Sequence, residues 1–360
     1  MMKEVECIES LQGIAENLLH DTGIVEILST QSEPERTSVV GEGVSLAPDF
    51  VINVRTKDKE QYSLFFEVKS IGQPRYARMA VNQLQTMTSR RQNSYGVFGA
   101  PYLSEESMMI CRENDIGFID IGGNCFLKFN DIYINVQGRP NPYPATRPLR
   151  SLFAQKSTRA LRVLLCNPKR NWAVQDLARE AEISLGQASN LKKKLLENEF
   201  IEEDPNRKFR IFNPEALLRK WAENYTYRKN RINNYYSLDE VRDIEEKLRH
   251  YCESNKIPYA LTLTSGASLV APFLRYSRVF AYVMDSSEGV ASALGWKEVP
   301  SGPNVSILEP YDEGVFYGLQ DIDGTKVVCD IQLYLDLLSY RERGEEAAQF
   351  LLESRLRTQW

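Results

Sequence analysis

The chain has 360 residues, room for two or three domains, and its 42% hydrophobic and 26% charged residues are ordinary for a globular protein. No apolar run reaches the ~20 residues of a membrane helix, and the start Met1-Met2-Lys3-Glu4-Val5-Glu6 has acids where a signal peptide has bases and an apolar core, so a cytoplasmic protein is expected. The net charge of -5 hides an asymmetry: Arg147 to Arg231 holds 19 Lys and Arg against 10 Asp and Glu, the remainder 25 against 39.

In chain order, the first segment reads as helix, three strands, helix, strand. Val5 to Leu19 places Ile8, Leu11, Ile14 and Leu18 at helical spacing. Val25 to Thr30 and Phe50 to Val54 are β-branched runs, and Leu64 to Val68 is almost wholly apolar, as a strand buried on both faces is. Arg75 to Arg91 is helical, Tyr95 to Phe98 a short strand, Ser104 to Asn114 a helix and Gly117 to Ile121 a strand. The alternation predicts an α/β domain. Gly122-Gly123-Asn124 is most simply a tight turn. Gly138 to Pro148, with four prolines, is a linker.

Pro48-Asp49 opens one strand and Glu67-Val68-Lys69 ends the next. Side chains alternate along a strand, so Glu67 and Lys69 share a face that Asp49 can reach from the neighbouring strand. An acid and a base interrupting the apolar Leu64-Phe65-Phe66 run are costly to bury without a purpose. This pattern resembles the PD-(D/E)xK nuclease superfamily over residues 1–146, in element order as well. The resemblance implies Asp49, Glu67 and the Val68 carbonyl as ligands of Mg²⁺ or Mn²⁺, and Lys69 as the residue that orients the attacking water or stabilises the phosphate charge. It also implies Gln83, on the following helix, as a polar active-site residue and Glu16, on the first helix, as an added carboxylate, with Glu9 as a competitor. Arg75, Arg78, Arg90 and Arg91 are candidate phosphate ligands nearby. The bland alternative is chance, since an exposed E-x-K is a common charge pattern.

The middle segment coincides with the basic peak, which points to a polyanionic partner. Ser157 to Cys166 and Ala173 to Ala181 read as helices, a turn follows at Glu182-Ile-Ser-Leu, and Leu185 to Asn198 is a third helix. Ser184 and Gln187 have the spacing of a capping box. Ala178, Ile183, Ala188, Leu191 and Leu195 fall where two crossing helices bury their core. Phe200 to Phe212 reads as two short strands around a turn. The stretch resembles a winged helix-turn-helix, in which the third helix enters the major groove and the wing touches the backbone. That implies Ser184, Gln187, Ser189 and Asn190 at base edges or phosphates, Gln and Asn being suited to adenine. Lys192, Lys193, Arg207 and Lys208, with Arg210 beside the wing tip, would meet phosphates. Winged helices also serve as protein–protein modules, in which case Lys192-Lys193-Lys194 is a solvated face.

Tyr225 to Tyr236, rich in Asn, Arg and Tyr, reads as a second linker, and Ser237 with Glu240 as the start of a new helix. Thr264-Ser-Gly266-Ala-Ser268 ahead of a helix, then a strand Arg278 to Asp285, resembles a nucleotidyltransferase. Only Asp285 stands near the acidic position, so a degenerate domain is expected. Val327 to Leu338, downstream of a winged helix, resembles the AbiEi antitoxin family over about 147–350. That resemblance implies a transcriptional regulator of a type IV toxin–antitoxin system, with double-stranded DNA and a nucleotidyltransferase-like toxin as partners. Winged helices often dimerise over palindromic sites, so a homodimer is a further expectation, to which the apolar Ala347 to Leu352 would contribute.

The expected architecture is multidomain α/β: a restriction-endonuclease-like α/β domain at 1–146, a winged helix-turn-helix at 147–230 and a degenerate nucleotidyltransferase-like α/β domain at 231–360. Six scattered cysteines without a C-x-x-C pair, and two histidines, argue against a disulfide framework or zinc site. Two functions follow: a DNA-binding antitoxin-like regulator, or a metal-dependent endonuclease addressed by its winged helix.

Overall fold

The computed structural model describes residues 4–32, 47–89, 91–142, 152–273, 276–340 and 343–360. It divides into two units, one of residues 1–148 with 197–199 and the other of residues 149–196 and 200–360. Arg90 and most of the expected proline-rich linker lie outside the described residues.

In the first unit α1 (Glu4–Thr22) precedes β1 (Val25–Ser32), β2 (Phe50–Thr56) and β3 (Gln61–Val68); α2 (Pro74–Thr88), β4 (Ser94–Ala100), α3 (Glu105–Glu113), β5 (Gly117–Asp120), β6 (Cys125–Phe129) and β7 (Ile132–Val136) follow. The strands form one sheet in the order β1-β2-β3-β4-β5-β6-β7. The pairs β3/β4 and β4/β5 are parallel and the others antiparallel. Alternation along β2 and β3 splits the core between two faces. Phe50, Ile52, Val54, Leu64, Phe66 and Val68 pack with Cys7, Leu11, Ala15 and Leu19 of α1. Val51 and Phe65 face the other way, onto Ala77, Ala80 and Val81 of α2. Each Val, Leu, Ile or Phe among them, once buried, stabilises the fold by ~1.5–3 kcal/mol. Pro74 starts α2, where its missing N–H is no loss and its fixed φ suits the helix. Gly96 lets β4 approach α2, because a Cβ there would lie 2.9 Å from Leu84 Cβ.

In the second unit α4 (Gln155–Cys166), α5 (Val174–Glu180) and α6 (Leu185–Glu197) lead into the hairpin β8 (Ile201–Glu203) and β9 (Phe209–Ile211), then α7 (Pro214–Ala222). The rest comprises β10 (Arg231–Tyr236), α8 (Val241–Ser254), β11 (Tyr259–Leu261), α9 (Leu263–Val270), β12 (Val279–Val283) and α10 (Ser287–Leu294). Then come β13 (Lys297–Glu298), β14 (Val305–Glu309), β15 (Gln320–Ile322), β16 (Thr325–Val327), α11 (Asp330–Leu338) and α12 (Gly344–Leu351). The larger sheet runs β13-β10-β14-β12-β11-β16-β15. One of its faces packs with Ile244, Leu248 and Cys252 of α8 and with Val290 and Ala291 of α10. The other shares a continuous core with α4, α5, α6, the hairpin, α7, α11 and α12. The boundary expected near residue 230 therefore falls inside one unit.

Three expectations change here. Tyr225 to Tyr236 is not a linker: Arg231 to Tyr235 pair with β14 as an interior strand. Its polar side chains are satisfied across the sheet, with Asn233 donating to Ser287 Oγ and Asn234 accepting from Arg278 and Ser306. Ser237 does not cap α8; its hydroxyl turns onto Asp239, and the cap position is Glu240, whose side chain makes no capping bond. Thr264 to Ser268 lie inside α9 rather than ahead of it.

Candidate functional site

In the second unit α5 and α6 are joined by a turn in which Glu182 is left-handed, φ 53°. Ala178, Ala188, Leu191 and Leu195 are buried there and Ile183 half-buried, as their spacing requires. The capping box is formed: Ser184 N donates to Gln187 Oε1 at 3.0 Å, and Gln187 N to Ser184 Oγ at 3.2 Å. Ser184 and the Gln187 carbonyl are thereby engaged, while Ser189 and Asn190 stay exposed. Lys193, Arg207 and Lys208 are exposed as well, the last two on the β8–β9 turn. Arg210 is ion-paired to Glu202 across that hairpin at 2.5 Å.

Lys192 does something else. Its Nζ donates to Glu203 Oε1 at 2.6 Å and to the Arg207 carbonyl at 3.2 Å, over the Phe209 ring. It fastens α6 to the hairpin, and its side chain is only 13% exposed. Sequence spacing could not see this, because the partners lie 11 and 15 residues downstream. Also missed was a third short strand position: Trp172 exchanges two backbone hydrogen bonds with Phe209, so the hairpin is backed by the segment before α5.

In the first unit the ends of β2 and β3 bring Asp49, Glu67 and Lys69 together. Lys69 Nζ pairs with Glu67 Oε1 at 2.5 Å, and Asp49 Oδ2 accepts from Val68 N at 2.6 Å. Glu67 is 4% exposed. By alternation Glu67 and Lys69 share the face of Phe65, the one α2 covers. Gln83 lies on α2, its Oε1 buried without a hydrogen-bond partner. Glu16 is not brought to them: it sits on α1, which packs on the opposite face, and accepts a hydrogen bond from Gln12. Glu9, Arg75, Arg78 and Arg91 are exposed.

Asp120 is wholly buried at the end of β5, where the sequence offered no chemistry. It accepts from Leu103 N at 3.2 Å and from Asn124 N and Nδ2 at 2.9 Å each, which closes the Gly122-Gly123 turn. Burial raises its carboxyl, and these donors oppose the rise.

The nucleotidyltransferase-like pieces are not assembled. β11 and β12 pair antiparallel, Leu261 opposite Ala281 and Tyr259 opposite Val283. α9 follows Leu261 and Asp285 follows Val283, so they lie at opposite ends of the strand pair. Ser265 is occupied, accepting from Phe280 N, and Asp285 is exposed, accepting from Ser286 N. The most deeply buried acid of this region is Asp336 on α11, fully enclosed, with Asp312 and Asp330 buried less completely. Its Oδ1 accepts from the Tyr225 hydroxyl at 2.5 Å, Gln332 Nε2 at 2.9 Å and the Tyr282 hydroxyl at 3.1 Å; its Oδ2 accepts from Thr262 at 2.5 Å. Burial pushes its carboxyl up to about 6 against the opposition of those donors. An acid inside the apolar run Ile331 to Leu338 is the signal in the sequence that points to it.

Among the described residues no helix is long and apolar enough to cross a membrane. Residues 210–357 match the family described as transcriptional regulator, AbiEi antitoxin, type IV TA system. That match spans most of the second unit. A solved structure titled "Structure of EndoMS in apo form" is 13% identical with a TM-score of 0.20, over 33% of this chain and 46% of that one. No curated protein matches.

Proposed function

We propose that the chain is a DNA-binding transcriptional regulator of the type IV antitoxin kind, in which α4 to α6 and the β8–β9 hairpin act as a winged helix-turn-helix on double-stranded DNA. The observation that carries this reading is α6, whose face opposite its buried residues is small, polar and basic within the most basic stretch of the chain. The family match over 210–357 supports the regulatory role. In this reading the protein works in the cytoplasm, binds a palindromic site as a homodimer and has a nucleotidyltransferase-like toxin as its genetic partner. Its degenerate nucleotidyltransferase-like domain serves regulation.

Binding to a duplex from upstream of its own gene, followed by fluorescence anisotropy over a salt series, tests it. Lys193→Ala and Lys208→Ala should each reduce the slope of log affinity against log salt by about 1, as a lost phosphate contact does. Lys192→Ala should leave the slope unchanged while lowering the melting temperature, because it removes the tie to the hairpin. Affinity that does not respond to salt would end the reading.

A second reading, a PD-(D/E)xK endonuclease addressed by the same winged helix, is favoured by the Asp49, Glu67 and Lys69 group. Two carboxylates and the Val68 carbonyl suit a hard divalent cation, waters completing its shell. Among the described residues no set of three or more His, Cys, Asp or Glu is placed to hold a metal, so the site would rest on these two acids. Mg²⁺ or Mn²⁺ held there would stabilise charge on an attacked phosphate. Lys69 holds Glu67 in place and would orient the attacking water. Nicking of supercoiled DNA with Mg²⁺ or Mn²⁺, lost in Asp49→Ala and Lys69→Ala while DNA binding persists, decides for the enzyme. Unchanged cleavage in Lys69→Ala removes it.

A further inference from the structure

α6 carries a glycine that the fold does not require. Gly186 lacks a left-handed φ, and a Cβ added there would meet nothing within 4 Å. Alanine is the better helix residue, so stability alone would favour it. Gly186, Ser189, Asn190 and Lys193 recur at helical spacing and share one exposed face, away from the buried Ala188, Leu191 and Leu195. Leu185 borders that face and is 52% exposed, unlike the other leucines that α6 turns to the core. Gln187 and Lys192 are already engaged, in the capping box and at the hairpin.

We propose that α6 seats its first turn on base edges of the major groove at Gly186, with Leu185 against a thymine methyl and Asn190 on a neighbouring adenine. The inference rests on the DNA-binding reading above and names what that site takes: duplex DNA with adjacent A·T pairs. The first residues of such a helix are those that reach base edges. The groove displays the thymine methyl and the adenine N6 and N7, which an amide side chain pairs with in two bonds. A residue without Cβ allows the closest backbone approach at that point. The occupant is a polyanion because the segment around this face is the basic one of an otherwise acidic chain.

The full-length protein is first used to select duplexes from a randomised pool. The selected duplex and its uracil-for-thymine counterpart, which lacks the methyl groups, are then titrated with wild type and variants. Gly186→Ala is expected to raise the melting temperature and yet weaken binding about tenfold or more, the scale of a lost base contact. Uracil should weaken wild type but not Leu185→Ala, and Asn190→Ala should lose preference at one A·T pair. Wild-type affinity in Gly186→Ala, or indifference of the wild type to uracil, overturns the inference while leaving DNA binding intact. A pool from which nothing is enriched overturns the DNA-binding reading, and this one with it.

Discussion

Arg162→Ala is expected to lower the unfolding free energy of the second unit by about 3–5 kcal/mol, measured by urea denaturation. Arg162 lies on α4 and is 2% exposed. Its guanidinium stands over the Trp221 ring, 5.3 Å from the centroid, and donates to Gln332 Oε1 at 2.6 Å. Gln332 passes the interaction on, donating to Asp336. Removing the arginine leaves a cavity beside Trp221 and an unmet Gln332 oxygen. A loss under about 1 kcal/mol, the scale of an exposed ion pair, would mean the network is not what holds α4 to α11.

The same network sets a pH dependence. Burial pushes the Asp336 carboxyl from 3.8 up to about 6. The folded state therefore binds that proton more tightly than the unfolded chain. Its contribution to stability is fully present below the unfolded value of 3.8 and is lost as pH rises to about 6. Asp336→Asn has no such proton. Stability of wild type minus that of Asp336→Asn should fall across that window and be level above it. A level difference throughout would contradict the assignment.

Asp120→Ala should cost the first unit a similar amount, about 3–5 kcal/mol, because it orphans several buried donors at once. Leu103 N, Asn124 N and Asn124 Nδ2 all lose their acceptor. Asn124 in turn accepts from Arg139 N and donates to the Arg139 carbonyl, so the chain leaving the sheet is released with it. Asp120→Asn keeps one oxygen and should fall between. Equal thermal melting of wild type and Asp120→Ala would rule the clamp out.

What the sequence disclosed follows from distance along the chain. The α6 cap was legible because Ser184 and Gln187 are three residues apart and a helix makes such neighbours meet. The Glu67 and Lys69 pair was legible because a strand puts alternate residues on one face. Lys192 was misplaced because its partners sit on the hairpin, and periodicity within α6 cannot distinguish a lysine facing solvent from one facing a wing. β10 was taken for a linker because its Asn-rich stretch lacks apolar alternation; its partners, Ser287, Arg278 and Ser306, lie 44 to 72 residues from the Asn233 and Asn234 that they bond. Asp336 was hidden for the same reason, since Thr262, Tyr225 and Tyr282 converge on it from three separate stretches of chain.

The continuous core joining α4 to α7 with α11 and α12 has a thermodynamic consequence. A helical segment built this way has no private stability. Residues 149–230 expressed alone would expose the surface they now share with α11 and α12, and would forfeit the burial that holds α4 in place. By linkage, whatever binds the second unit elsewhere and shifts its folding equilibrium also shifts the population of α6 competent to meet DNA. On the DNA-binding reading proposed above, a partner need not touch α6 to change how much of it is folded to bind.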